Sequence, residues 1–174
     1  MNDKNILVEE NIRLLRQGIS LIAQIGEDLY TNANPPFFKS GVGNHFRHCI
    51  DFYDSFLSSS KSGRINYALR KRNRLLEIDG AVAIFEIEAI INDLEQLSPA
   101  DLRKQVYVMA EDLPDGPGAC LWSSSTVMRE LQSLLSHTTH HYAMIALALR
   151  LQDFDLPEEF GVAQSTLNHW RKIA

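Results

Sequence analysis

Ser136-His137-Thr138-Thr139-His140-His141 lies inside an apolar periodicity that runs from about Ser125 to Leu151, and its reading decides the fold. Glu130, Leu134, His137, His141, Met144 or Ile145, and Ala148 recur at three- and four-residue spacing, the mark of one face of a long helix. His137 and His141 share that face about one turn apart. Two imidazoles so placed can grip one metal ion. His140, three after His137, can take the place of His141. The latter is preferred because it continues the Leu134, His137, Met144 stripe.

A third ligand has to come from elsewhere, and Asn44-His45-Phe46-Arg47-His48 is the other histidine cluster. It opens a second helix, read from near Gly43 to about Ser59, with His45, His48, Phe52 and Phe56 on one stripe. Either histidine of that cluster can supply the ligand. Two further helices are read from about Asn5 to Leu29 and from about Arg74 to Leu97. Asn34-Pro35-Pro36 interrupts the chain after the first, and Ser98-Pro99 ends the other. Gln105-Val106-Tyr107-Val108-Met109 reads as a strand and Asp115-Gly116-Pro117-Gly118 as a turn. Ala119 to Trp122 is the returning strand. Ser123, Ser124 and Ser125 offer N-caps for the last long helix. The basic stretch from Arg64 to Arg74 reads as a poor helix or an ordered loop, and Ser165 to Trp170 as one short helical turn. The expected fold is all-α, one domain over residues 1–174. It is a four-helix bundle of up-down-down-up type, with a small β-hairpin between the third and fourth helices.

Composition bounds the function. The charge is 17 minus 22, or -5, which speaks against a general nucleic-acid binder. Two cysteines, Cys49 and Cys120, form neither a CxxC site nor a disulfide framework, and a reducing cytoplasm is expected. The N-terminus lacks the layout of a signal peptide, and no apolar run is long enough for a membrane span.

The histidine pattern bounds the chemistry. Haem, zinc, nickel and iron sites all use the HxxxH spacing. Three neutral imidazoles with one open position form a catalytic pattern of zinc. The absence of HExxH disfavours a zincin protease. His45, Asp51, Glu130 and His140 are the alternative ligands or the groups that orient the ligands. Cys49 is turned about 100° from His48 and is expected to pack, not react. His169 reads as exposed. Tyr67, Arg70 and Arg72 are candidates for holding a carboxylate or the anionic groups of a thiol cofactor. No catalytic side chain is assigned.

Val42-Gly43-Asn44-His45-Phe46-Arg47-His48-Cys49-Ile50-Asp51-Phe52 resembles the second-helix motif of the DinB-like superfamily, bacterial four-helix metalloproteins. Arg129-Glu130-Leu131 through Ser136-His137-Thr138-Thr139-His140-His141-Tyr142-Ala143 resembles its HxxxH helix. Phe160-Gly161-Val162-Ala163-Gln164-Ser165-Thr166 is similar to a tail motif in which proline often stands at the position of Gln164. The resemblance covers most of the chain. It implies that His48, five after the glycine, joins His137 and His141 around a divalent metal. That metal is commonly nickel or zinc and sometimes iron or manganese, with water in the open positions. It further implies a homodimer and kinship with metal-dependent S-transferases that use a low-molecular-weight thiol. Two functions follow as expectations. One is a metal-dependent thiol S-transferase or hydrolase that acts on a small molecule through a metal-bound thiolate or water. The other is a non-catalytic, metal-stabilised dimeric module with a binding or stress-response role.

Overall fold

The computed structural model describes residues 6–33, 40–109 and 121–173. Its helices are α1 (Ile6–Ile22), α2 (Glu27–Thr31), α3 (Val42–Ser60), α4 (Leu75–Ile78), α5 (Gly80–Glu95), α6 (Pro99–Leu102), α7 (Val127–Arg150) and α8 (Gln164–Ile173). Three strands, β1 (Arg64–Asn66), β2 (Gln105–Met109) and β3 (Trp122–Thr126), form one sheet in the order β1-β2-β3. The described chain is thus mostly helical, with a small three-stranded sheet where a hairpin was expected. The expected Asn34-Pro35-Pro36 break, the Asp115–Gly118 turn and Cys120 lie outside the described residues.

α3 and α7 match the expected helices within two residues at each end. The other two long helices are interrupted. The first stops at Ile22, and Gly26, in extended backbone, starts α2 separately. The third breaks at Asp79, whose extended backbone ends α4. The Asp79 carboxylate then caps α5, accepting from the amides of Ala81 and Val82 at 2.9 and 3.1 Å. A side-chain cap of this kind is worth about 1 kcal/mol.

The expected hairpin is part of a larger sheet. β2 pairs antiparallel with β3, Gln105 opposite Thr126 and Met109 opposite Trp122. The return strand is Trp122–Thr126, so Ser123 to Ser125 are strand residues and not caps. The cap is Thr126, whose hydroxyl accepts from the amide of Arg129 at 3.1 Å. β1 comes from the basic stretch read as helix or loop. It pairs parallel with β2, Arg64 opposite Tyr107, and buries Ile65 between exposed and half-buried neighbours.

The four long helices close a ring, α1 against α5 and α7, and α3 against the same two. The core between them holds Leu15, Phe46, Tyr53, Phe56, Ile87, Leu94, Leu131 and Ile145, all buried. Burial of each such side chain is worth about 1.5–3 kcal/mol. One polar group ties three helices at the centre. Asn11 donates to the carbonyls of Leu7 and Leu131 at 2.8 and 3.3 Å and accepts from the Tyr53 hydroxyl at 2.6 Å. A buried amide satisfied this way fixes helix register, because slippage would leave it without partners. No helix among the described residues is long and apolar enough to cross a membrane.

Candidate metal centre

The site forms where the first turns of α3 face the middle of α7. His45 and His48 are three apart on α3, and His137 and His141 are four apart on α7, so each pair presents both rings to the other helix. His48 Nε2 lies 3.2 Å from His137 Nε2, and His141 Nε2 lies 3.0 Å from the same atom. Ligand atoms of His48, His137 and His141 all fall within 4.8 Å of one another. Three nitrogens bound tetrahedrally at about 2.1 Å stand about 3.4 Å apart. The donor set therefore fits a single divalent ion, with imidazole suited to zinc, nickel and iron.

The glycine of the α3 motif has a local cause. A Cβ at Gly43 would overlap the carbonyl oxygen of Glu77 in α4. Its absence lets α4 lie against the first turn of α3, where Arg47 donates to Glu77 at 3.1 Å and to Asp51 at 2.9 Å. The Arg47 clamp braces the turn that carries His45 and His48. Burial raises the Asp51 carboxyl above its usual range despite the guanidinium beside it.

Electrostatics favour the neutral ring at His141 and at His45. Burial, then the neighbouring His137, His48, His45 and His140, pulls His141 down to about 3 from 6.5. Burial and His140 likewise lower His45. Neutral imidazole is the metal-binding form.

No protein-family model matches the chain, and no curated protein matches it by sequence. A solved structure does match: YjoA, a DinB-like protein of Bacillus subtilis, 19% identical, with a TM-score of 0.65. The match covers 91% of this chain and 100% of that one. The fold is DinB-like. At this identity the likeness concerns the fold alone, and the site rests on its own geometry.

Within this DinB-like fold the other candidate residues take distinct places. His45 does not join the three Nε2 atoms; its Nδ1 meets Nδ1 of His141 at 3.0 Å. His140 is exposed, its ring 5.3 Å from that of His141. Asp51 is engaged by Arg47. Glu130 is buried and accepts from the Tyr67 hydroxyl at 3.0 Å and from the Ser125 hydroxyl. Cys49 is buried, and burial pushes its thiol up to about 12, which agrees with packing. His169 is exposed.

Tyr67 and Arg70 reach the site through Phe52. The Phe52 ring stands edge-on to His137 at 4.4 Å, tilts against His48 at 4.9 Å and stacks on Tyr67 at 5.0 Å. The Arg70 guanidinium lies 4.1 Å from the Phe52 centroid, a cation–π contact. Arg72 is exposed, in left-handed backbone with φ 49°. Sequence reading overlooked the Arg47 clamp, although Arg47 and Asp51 stand at the i,i+4 spacing of a helical ion pair. It placed Phe52 on the histidine stripe without seeing it as the link to Arg70.

Proposed function

We propose that His48, His137 and His141 hold one divalent metal ion, zinc or nickel before iron or manganese. On this reading the chain is a metal-dependent enzyme, a thiol S-transferase or a hydrolase acting on a small molecule. The observation that carries it is the convergence of three Nε2 atoms from helices 89 residues apart in sequence. Such an ion supplies Lewis acidity and lowers the pKa of a water or thiol that it coordinates. The surrounding side chains have complementary tasks. Phe52 and Tyr67 wall one side, and Arg70 offers a planar cation to a carboxylate or to the acidic groups of a low-molecular-weight thiol.

One observation favours the enzyme over a closed, non-catalytic metal site. The fourth ligands that would close the sphere are committed elsewhere: Asp51 to Arg47, Glu130 to Tyr67 and Ser125, and His45 to the far side of His141. The reading takes residues 1–174 as one domain, an up-down-down-up bundle. In support, Asn11 meets Leu131 and Arg16 meets Glu95, while His45 meets His141 and His48 meets His137. It further takes the chain as a cytoplasmic homodimer that binds neither nucleic acid nor membrane.

Elemental analysis of the purified full chain tests the site. One divalent ion per chain is expected, and His48→Ala, His137→Ala and His141→Ala should each abolish stoichiometric uptake. Retained uptake in any of the three overturns the triad. A thiol-transfer and hydrolysis screen with and without the ion tests the enzyme. A loaded protein inactive across the screen favours the metal-stabilised module.

A further inference from the structure

We propose that His45 is a positioning residue that fixes the tautomer of the ligand His141, accepting a hydrogen bond from its Nδ1–H. This deepens the triad reading and rests on it.

The geometry leaves few alternatives. The His141 ring is held from both ends, Nε2 at 3.0 Å from His137 Nε2 and Nδ1 at 3.0 Å from His45 Nδ1. Two Nδ1 atoms at that distance share one proton: two lone pairs would repel, and two N–H groups would collide. Binding through Nε2 requires the lone pair there, so the proton of neutral His141 sits on Nδ1. His45 Nδ1 is then the acceptor, and the proton of His45 moves to its own Nε2. That Nε2 is buried and has no hydrogen-bond partner among the described residues. It lacks a partner in either tautomer, so it does not decide between them.

Histidine ligands commonly donate their second N–H to a carboxylate or a carbonyl, which orients the ring and raises its basicity. The nearby carboxylates are unavailable to His141, Asp51 being paired with Arg47 and Glu130 with Tyr67 and Ser125. A second imidazole takes that place. Residue 45 therefore acts on affinity without adding a ligand.

The test is zinc titration of the full chain in competition with a chromophoric chelator. His45→Leu keeps apolar bulk and removes the acceptor, and its affinity should fall about 10-fold or more. His45→Asn puts a carbonyl oxygen close to the old Nδ1 position and should stay within about threefold of the parent. All three proteins should still bind one ion per chain. Packing alone would rank the two variants the other way, since leucine fills the space better than asparagine. Long-range 1H–15N NMR of histidine-labelled, zinc-loaded protein gives the direct readout: in the parent, His141 should carry its proton on Nδ1 and bind through Nε2. Parent-like zinc affinity in His45→Leu, or His141 bound through Nδ1, overturns the inference and leaves the triad standing. A parent chain that takes up no zinc overturns the inference, and one that takes up no divalent ion at all overturns the triad with it.

Discussion

At the scale of single residues, the burial of His141 makes the metal-free protein acid-sensitive. Its folded value lies near 3 against 6.5 for the unfolded chain. Below about pH 6.5 the unfolded chain takes up a proton that the folded chain refuses, so stability is full above that pH and falls on acidification toward 3. Urea midpoints of chelator-treated protein at pH 7.5, 6.5 and 5.5 should therefore decline. In His141→Gln the decline should be shallower, and an unchanged slope would contradict the assignment. The pairing of His137 with His141 was legible because helical spacing places residues four apart on one face whatever the neighbours do, whereas His48 was separated from His45 only by the resemblance. The Nδ1 contact between His45 and His141 was not legible. It depends on the rotation of two rings and on the distance between two helices, and neither is written in either helix alone.

At the scale of elements, the tail is held by backbone fit. Gly161 has φ 73°, and a Cβ there would lie 2.6 Å from the amide nitrogen of Ala143 and 2.7 Å from the Tyr142 carbonyl oxygen. Strain and overlap act together in Gly161→Ala, which should cost about 1–3 kcal/mol; thermal unfolding would measure it. Gln164, where relatives in the resemblance often carry proline, opens α8, and the first turn of a helix is where proline is best tolerated. Gln164→Pro should be neutral or stabilising by up to about 1 kcal/mol, read from the same melting curves, and a lower melting point would contradict it. Sequence periodicity found α3 and α7 because nothing interrupts them. It ran through Asp79-Gly80, although an aspartate before a glycine is a stop signal, because apolar residues on both sides kept the helical phase. The return strand was read too early, at Ala119 to Trp122, because three serines favour caps over strands, and pairing with β2 overrode that preference. β1 escaped because three residues are too few to show alternation.

At the scale of the whole molecule, ligand binding should raise stability by mass action. Zinc or nickel at about a hundred times its Kd adds about 2.7 kcal/mol, which for a chain of this size raises Tm by about 5–10 °C. The His137→Ala protein should show no such rise. Size-exclusion with light scattering should give the mass of a dimer, and a monomer at micromolar concentration would remove that part of the reading.

His48 and His137 stand 89 residues apart along the chain. An ion held between them is a removable clasp across half of the polypeptide, closing a long loop as a crosslink would. Amide hydrogen exchange should slow together in α3 and α7 when the clasp is fastened, while α8, which supplies no ligand, exchanges as before. The same ion that serves chemistry would set which helices open as a unit.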